Sequence, residues 1–266
     1  MRTSTLLVLA PVLALGCGGG DPSAFGSSTD HTNPSADGGG DGSTTFHAGK
    51  SDGGHDAGKC DPNLTGTLRD FRDDHPDFEK FLGDDRGIVK DTLGPDFKPV
   101  YASATTTPTT TGKADFDQWY RDVPGTNISV PFQLVLTPNG NGVSTFDAPY
   151  FFPLDNQAWG NQGRPHNYHF TFEVHLEFAY DGGESFTFTG DDDVWIFING
   201  KLAIDIGGVH GAESESIDLD ARAGELGIVK GNTYAMDAFS AERHTVDSHF
   251  RIDTTLQFTN CNPIVH

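Results

Sequence analysis

Basic residues are scarce in this sequence: 17 Lys and Arg stand against 38 Asp and Glu, for a net charge of −21. Nucleic-acid binding relies on clustered Lys and Arg that neutralise phosphates, so this composition argues against a nucleic-acid partner. The same acidity disfavours electrostatic docking onto anionic lipid. It suits a soluble surface domain or a domain that binds cations, and acidity that only aids solubility is an equally open alternative.

Hydrophobic runs long enough to span a bilayer are also missing. The N-terminal apolar run covers only residues 6–15, which is too short for a transmembrane helix. Because Arg2 precedes this run, the pattern predicts a secretion signal peptide. The run ends in Ala14-Leu15-Gly16-Cys17, which resembles the bacterial lipobox except that Ala14 replaces the usual larger aliphatic residue.

The lipobox resemblance implies a lipoprotein signal peptide over residues 1–16 and a lipid on Cys17, the first mature residue. Gly18 follows the cysteine where an aspartate would favour inner-membrane retention, so the implied destination is the outer membrane and the cell surface. The N-terminal lipid would then be the only contact with the membrane. The alternative is ordinary signal cleavage, with Cys17 lost or free.

Cysteine is rare as well, with three residues in the whole chain. Besides Cys17 there are Cys60 and Cys261, which bracket the region of globular composition. In an oxidising compartment such a pair predicts a disulfide. It would close a loop of about 200 residues, for which chain entropy gives roughly 4–5 kcal/mol of stabilisation. The alternative is two unpaired thiols.

Large apolar side chains are nearly absent from residues 17–59, where Gly, Ser, Thr and Asp dominate and only Phe25 and Phe46 are large and apolar. Such a segment cannot bury enough surface to offset the entropy of ordering it. We therefore predict a disordered tether over 17–59, followed by one domain over 60–266.

The domain region has the patterns of β-strands. Apolar and polar residues alternate strictly over 167–180, which predicts a long strand with one buried and one solvated face. The Asn199-Gly200 pair between two apolar segments predicts a tight hairpin, because both turn residues must take positive φ. Only 70–82 has a weak helical pattern. The sequence predicts an all-β fold, an antiparallel sandwich or barrel. Further strands are predicted at 132–136, 233–239 and 249–258.

Six segments carry a family signature: Thr67–Phe71, Phe116–Asp122, Thr189–Leu202, Asp205–Gly211, Ala241–His244 and Phe250–Thr254. Together they resemble the fibro-slime domain family, in the expected order and over roughly residues 64–258. That family is similar to the protective-antigen-type β domain. The resemblance implies a β-sandwich of this type with an extracellular, adhesive or carbohydrate-binding role, and it supplies no established ligand.

Three consecutive aspartates, Asp191, Asp192 and Asp193, precede the first arm of the hairpin. Adjacent carboxylates repel each other, and a divalent cation relieves this repulsion. Calcium suits such a set because it accepts carboxylate oxygens in irregular geometry. The related lectins bind calcium with an adjacent aspartate pair, which the resemblance places at Asp191 and Asp192. Asp193 is then a further ligand or a sign that the pair is shifted by one. The alternative is a turn in which the aspartates cap backbone N–H groups.

A calcium lectin needs a second loop to complete its site, and the resemblance offers residues 205–213 and the corner at 242–244. For each predicted ligand-binding residue a structural role is the alternative: Trp195 in the core, His210 in a loop-fixing hydrogen bond, and Glu242 with Arg243 in an ion pair. The predicted ligand-binding residues are Trp195, Asp205, His210, Glu242, Arg243 and His244.

Taken together, the sequence predicts a calcium-dependent carbohydrate-binding or adhesion module at the cell surface, with an extracellular glycan or matrix polysaccharide as its partner. A structural surface or slime-matrix protein without a glycan site is the first alternative. A polysaccharide-acting enzyme is the second. No catalytic residue is assigned, because neither a nucleophile elbow nor a phosphate-binding glycine loop is found, and we expect the protein not to be an enzyme.

Overall fold

The computed structural model describes residues 63–260. The chain divides into two units, Met1–Asp52 and Gly53–His266, and every described residue belongs to the second. The predicted signal peptide, the predicted tether, the lipidation site Cys17 and the predicted disulfide between Cys60 and Cys261 therefore lie outside the described residues and stay predictions.

Residues 63–260 form fourteen strands and two short helices. The strands are β1 Asn63–Phe71, β2 Gly83–Asp84, β3 Asn127–Val135, β4 Thr137–Pro138, β5 Ser144–Ala148, β6 Phe170–Tyr180, β7 Ser185–Gly190, β8 Asp193–Ile198, β9 Lys201–Ile206, β10 Gly208–Val209, β11 Glu213–Asp218, β12 Asn232–Glu242, β13 Phe250–Thr254 and β14 Gln257–Asn260. The helices are α1 Lys113–Phe116 and α2 Leu219–Leu226. Neither helix within 63–260 has the length and apolar character needed to cross a membrane.

The strands pair antiparallel throughout and build two larger sheets. Sheet I has the order β3-β1-β6-β12-β8-β9, with β14 also paired to β6. Sheet II has the order β11-β7-β13-β5-β4, and β10 pairs with β2 in a separate ribbon. The main hydrophobic cluster takes side chains from both large sheets, such as Phe172 of β6 and Phe250 of β13, whose rings lie 5.8 Å apart. The predicted all-β antiparallel sandwich is confirmed.

The hairpin predicted around Asn199 is confirmed. Strands β8 and β9 pair on either side of Asn199 and Gly200, which have φ of 52° and 72°. Every residue of β8 is buried, as its unbroken apolar character indicates. Asn199 has a second role, because its side-chain amide donates to the Leu226 carbonyl oxygen at 3.0 Å and so ties the end of α2 to the turn.

Strand β6 forms over the alternating segment, but the prediction of a solvated face is wrong. Its polar residues Thr171, Glu173 and His175 are buried. A second hydrophobic cluster explains this, because residues of the 85–122 region pack against the outer face of sheet I. The Thr171 hydroxyl, for example, donates to the Trp119 carbonyl oxygen at 2.6 Å. The alternation predicts the strand itself. The segment that covers its polar face lies far away in the sequence, so the alternation could not predict that this face is buried.

The weak helical pattern over 70–82 also gave a wrong prediction. Strand β1 continues through Phe71, and the residues after it form turns. The Asp77 carboxylate accepts the Trp119 ring N–H at 3.1 Å and the Thr111 backbone N–H at 2.6 Å, which holds the segment against the second cluster. Tertiary hydrogen bonds thus override a weak local preference.

Candidate functional site

The three aspartates lie where sheet II passes into sheet I. Asp191 and Asp192 connect β7 to β8, and Asp193 begins β8. All three are buried. Asp193 pairs in register with Ala241 of β12, so the end of β12 runs beside the aspartates. The fold therefore brings the corner at 242–244 to the place where the sequence predicted it.

The Asp193 carboxylate is bound to a buried arginine. It accepts a hydrogen bond from Arg243 Nε at 2.6 Å and one from the Gly208 backbone N–H at 2.8 Å. Arg243 is fully buried, donates to the Thr109 carbonyl oxygen at 2.7 Å, and its guanidinium carbon lies 4.7 Å from the centre of the Trp119 ring. A buried charge needs such a partner, and Arg243 and Asp193 compensate each other.

This ion pair changes two of the sequence-based assignments. Arg243 belongs to the core and cannot contact a glycan, and it pairs with Asp193 instead of Glu242. Asp193, committed to Arg243, is not a free ligand for an ion. The predicted metal site thereby narrows to Asp191 and Asp192.

Asp191 and Asp192 hold the loops around them through hydrogen bonds. The Asp192 carboxylate accepts the backbone N–H groups of His210, at 3.2 Å, and Arg243, at 2.9 Å. Asp191 accepts the backbone N–H of His249 and also contacts the Nδ1 of that ring at 2.9 Å. The turn alternative, in which aspartates cap backbone N–H groups, is thus part of the structure. The backbone donors satisfy carboxylate oxygens without compensating the negative charge.

The electrostatics of Asp192 reflect this imbalance. Burial raises the pKa of the Asp192 carboxyl well above its ordinary value, and the neighbouring charges of Asp193 and Asp191 raise it further. Arg243 opposes the rise, but it is shared with Asp193. The ionised form of Asp192 is therefore disfavoured in these surroundings.

Glu242 adds a third carboxylate to this group. Its residue is buried, and neither Oε1 nor Oε2 makes a hydrogen bond. Burial raises its pKa well above the ordinary value, and the charges of Asp192 and Asp191 add to the rise. Ser248 and the His244 backbone lower the pKa in part, although neither makes a hydrogen bond of normal geometry to the carboxylate. A buried carboxylate without a partner is rare and calls for a physical explanation.

A cavity of about 210 Å³ opens beside these carboxylates. Among the residues predicted from the sequence, it brings together Asp191, Asp192, His210 and His244. The predicted second loop, 205–213, also supplies Val209 and Gly211, whereas sequence reasoning missed Leu82 before β2 and the residues 245–247 after β12. The cavity is lined by Leu82, Asp191, Asp192, Val209, His210, Gly211, His244, Thr245, Val246 and Asp247.

Trp195 and Asp205 lie away from this cavity, which corrects their assignment to the ligand site. Trp195 is fully buried in the second hydrophobic cluster, so its ring faces cannot stack on a sugar. Its ring N–H donates to the Asp205 carboxylate at 2.9 Å, and the Gly87 backbone N–H donates to the other oxygen at 2.8 Å. Asp205 lines a separate cavity of about 540 Å³.

The His210 ring faces a second group of acids. Its Nδ1 contacts the Gly211 carbonyl oxygen at 2.9 Å, which makes Nδ1 the protonated nitrogen. Within residues 63–260, Asp84, His210 and Glu213 form the one set of His, Asp or Glu ligand atoms that all lie within 4.8 Å of each other. Glu213 already pairs with Arg86 at 2.7 Å, so its charge is compensated without an ion.

His244 is linked to the segment before β2 through Glu79. The Glu79 carboxylate lies 2.8 Å from His169 Nε2 and 3.8 Å from His244 Nε2. Its backbone N–H donates to the Arg243 carbonyl oxygen at 2.9 Å, and its φ is 61°, in the left-handed region that disfavours a side chain. No local sequence pattern marks Glu79, because its partners are more than 80 residues away in the chain.

The family model described as PA14 domain matches residues 153–263. This part of the chain matches the PA14 domain family. The match contains the aspartates, Glu242 and every lining residue of the cavity except Leu82. The match over 153–263 agrees with the expected likeness to the protective-antigen-type domain, whereas the fibro-slime resemblance itself stays a prediction.

Proteins of Dictyostelium discoideum share longer stretches with this chain. It is 38% identical to protein psiD over 213 residues, which cover 74% of this chain and 42% of psiD. It is 38% identical to protein psiQ over 189 residues, which cover 65% of this chain and 19% of psiQ. The chain therefore spans well under half the length of these relatives.

Two solved PA14-type and adhesin structures show distant likeness. One is a PA14 sugar-binding domain from an RTX adhesin, with 8% identity and a TM-score of 0.32 over 73% of this chain and 91% of that one. The other is the A domain of a subtype-switched epithelial adhesin from Candida glabrata in complex with β-lactose, with 9% identity and a TM-score of 0.30 over 72% of this chain and 80% of that one. Likeness at this level carries no argument about function.

Proposed function

We propose that this domain is a binding module that holds an extracellular saccharide in the cavity beside Asp191 and Asp192, with Ca²⁺ bound between the saccharide and these aspartates. The supporting observation is Glu242, a buried carboxylate with no hydrogen-bond partner beside two further buried carboxylates. The PA14 match over the same residues agrees with a binding role.

The charge around these carboxylates supports the proposal of a cation at this place. Arg243 compensates Asp193 and only part of Asp192, and His249 contacts Asp191 through a ring that carries charge only when protonated. Asp191, Asp192 and Glu242 thus form a carboxylate group with too little positive charge around it. Calcium prefers such oxygen ligands, and burying the carboxylates without a cation is costly.

The group of Asp84, His210 and Glu213, which is less buried than the three carboxylates above, is a weaker place for an ion. Arg86 donates to Glu213 at 2.7 Å and to Glu215 at 2.9 Å, and water can solvate Asp84, which is exposed. Carboxylates that are paired with a cation or solvated by water are stable without a metal ion, whereas Glu242 is neither paired nor solvated. We therefore assign the calcium to the buried group.

In this proposal, each part of the chain has a separate task. Asp191 and Asp192 would hold the ion, and Glu242 would add negative charge behind them. Bound calcium would supply open coordination positions for vicinal hydroxyls. His210, His244 and Asp247, which line the cavity, would exchange hydrogen bonds with the remaining hydroxyls. Secretion, the lipid on Cys17 and the tether over 17–59 would present the domain at the cell surface.

A glycan array with the purified chain tests the proposal. We expect binding in calcium, loss of binding in EDTA, and loss with Asp191→Asn, which removes one charge and keeps the side-chain shape. The matched control is Asp205→Asn, a half-buried aspartate of the other cavity, which should bind glycans like the unaltered protein. Glycan binding that persists unchanged in EDTA would overturn the metal role.

One observation favours a second candidate, in which the domain is a structural surface protein. Asp192 already links two loops through backbone hydrogen bonds, so an ion there could serve stability alone. In that case Asp191→Asn would lower the melting temperature in calcium while cell attachment and matrix association stay intact. Loss of attachment without loss of stability would exclude this candidate.

A further inference from the structure

Two aliphatic side chains lie exposed among the residues that line the cavity. Leu82, in the segment before β2, is 74% exposed, and Val246, in the loop between β12 and β13, is 75% exposed. They come from segments more than 160 residues apart and reach the same opening. Among the described residues that line the cavity, Leu82 alone lies outside the PA14 match at 153–263, so the matched segment by itself would not form this opening.

Exposed aliphatic residues gain nothing from folding. Single exposed apolar residues are ordinary on protein surfaces. Here, however, Leu82 and Val246 border a cavity whose other side chains include Asp191, Asp192 and Asp247. Covering a Leu or Val side chain completely brings roughly 1.5–3 kcal/mol. A ligand with one apolar group and several hydroxyls would match both the apolar and the polar part of the opening.

The kind of apolar group follows from what lines the cavity. Among the described residues 63–260, no Trp, Tyr or Phe lines the cavity, and Trp119 and Trp195 are fully buried. A flat sugar face is recognised best by an aromatic ring. Two branched aliphatic side chains instead offer a small, curved surface, which suits a methyl group. The cavity, of about 210 Å³, is smaller than the ~300–1,000 Å³ of pockets for drug-sized ligands, so it fits a single sugar residue.

We infer that the ligand is a terminal 6-deoxyhexose, whose methyl group contacts Leu82 and Val246 while its vicinal hydroxyls face Asp191 and Asp192. This inference rests on the proposed function and names its ligand class. The replacement of a hydroxymethyl group by a methyl group removes one hydroxyl that Leu82 and Val246 cannot hydrogen-bond. The parent hexose must desolvate that hydroxyl without compensation.

The test compares sugars that differ only at C6. Calorimetry with the calcium-loaded chain would use the methyl glycosides of L-fucose and L-galactose and of L-rhamnose and L-mannose. We expect the deoxy sugar of at least one pair to bind about tenfold more tightly, the lower end of the range for one methyl-sized contact. Equal affinity within both pairs would overturn the inference, and so would tighter binding of methyl N-acetylglucosaminide than of either deoxy sugar.

Matched valine variants show whether the predicted contact causes the preference. Val246→Thr keeps the shape of the side chain and replaces a methyl group by a hydroxyl, so the preference should fall severalfold toward equality. Val229→Thr is the control, because Val229 is 65% exposed and does not line the cavity. Both changes lie at the surface and should leave the melting temperature unchanged. A preference that survives Val246→Thr combined with Leu82→Asn would also overturn the inference.

Different results would contradict the deoxyhexose inference and the proposed calcium-dependent glycan site. Binding of both members of a pair without preference removes the deoxyhexose and leaves the calcium-dependent glycan site in place. Failure of all four sugars to bind overturns the deoxyhexose assignment, and the glycan array in calcium and EDTA then decides on the function itself.

Discussion

Asp193 and Glu242 are neighbours in the structure with opposite electrostatic surroundings. Asp193 is fully buried and forms an ion pair with Arg243 at 2.6 Å. Glu242 is equally inaccessible, yet both of its carboxylate oxygens lack hydrogen bonds. The comparison shows that burial of an acid does not by itself indicate function. An acid that the chain has already compensated serves the fold, whereas an uncompensated buried acid calls for an explanation, for which we propose a bound ion.

The largest loss of stability is expected from a substitution that removes the ion-pair partner of Asp193. Arg243→Met leaves Asp193 buried without a partner, and removal of one member of a buried ion pair costs about 3–5 kcal/mol. Urea unfolding of the metal-free protein would measure the loss. Arg251→Met is the control, because Arg251 pairs with Asp147 at the surface, where such pairs contribute about 0–1 kcal/mol. Equal losses for the two variants would contradict the assigned role of Arg243.

The next largest effect concerns Glu242, the uncompensated acid, and the stabilisation that calcium provides. Calcium at a hundred times its dissociation constant stabilises a one-site protein by about 2.7 kcal/mol. Glu242→Gln should reduce this calcium-dependent stabilisation strongly, because the variant keeps the volume of Glu242 and removes its charge. Thermal unfolding with and without calcium measures it. Glu177→Gln is the control and should leave the calcium response unchanged, since Glu177 pairs with Ala235, near the end of β12 opposite to Glu242. An unchanged calcium response in Glu242→Gln would count against the calcium site.

A third prediction uses the buried group on the outer face of β6. His175 Nδ1 lies 2.7 Å from Asp237, and its Nε2 lies 3.7 Å from Glu173 and 3.5 Å from Lys98 Nζ. Burial lowers the pKa of His175, but the hydrogen bonds with Asp237 and Glu173 outweigh burial and raise it above the ordinary value.

The sign follows from this raised pKa. The protonated imidazole stabilises the fold, so its contribution is complete below the unfolded-state pKa of about 6.5 and is lost as the pH rises through the higher folded-state pKa. Each unit of difference corresponds to about 1.4 kcal/mol. We expect His175→Gln to flatten the decline of unfolding free energy that begins as the pH rises above about 6.5. A decline as steep as that of the unaltered protein would show that other groups cause it.

The smallest effect is expected at the exposed acidic group. Glu213→Gln weakens a pair with Arg86, whose side chain is half exposed, and such pairs contribute about 0–1 kcal/mol. The calcium response should stay unchanged, because the proposed ion lies with the buried carboxylates. Calcium titration followed by calorimetry checks this. A lower calcium affinity in Glu213→Gln would move the site to Asp84, His210 and Glu213.

Local patterns in the sequence predict much of this fold. The alternation over 167–180 gives β6, and the Asn199-Gly200 pair gives the β8–β9 hairpin, because each rests on neighbouring residues. The cover over the outer face of β6 could not be predicted, since it comes from residues around 85–122. The same limit explains why 70–82 is not a helix.

The candidate site was predictable in part. The aspartates and the corner at 242–244 follow from a resemblance that spans the domain. The sequence did not predict which of the acids forms an ion pair and which stays uncompensated, because Arg243 and Asp193 are 50 residues apart in the chain. Leu82 and Glu79 were missed for the same reason, as each reaches the site only through tertiary packing.

The hydrogen bonds of Arg243 determine at which stage of folding the carboxylate group can form. They join positions that are separated by 50, 134 and 166 residues along the chain. Closing loops of this length is entropically expensive and slow. A nascent chain that has emerged only as far as β11 lacks both Arg243 and Glu242. Asp193 then has no ion-pair partner, and the carboxylate group is incomplete. We expect ligand capture to begin only after the last strands have docked.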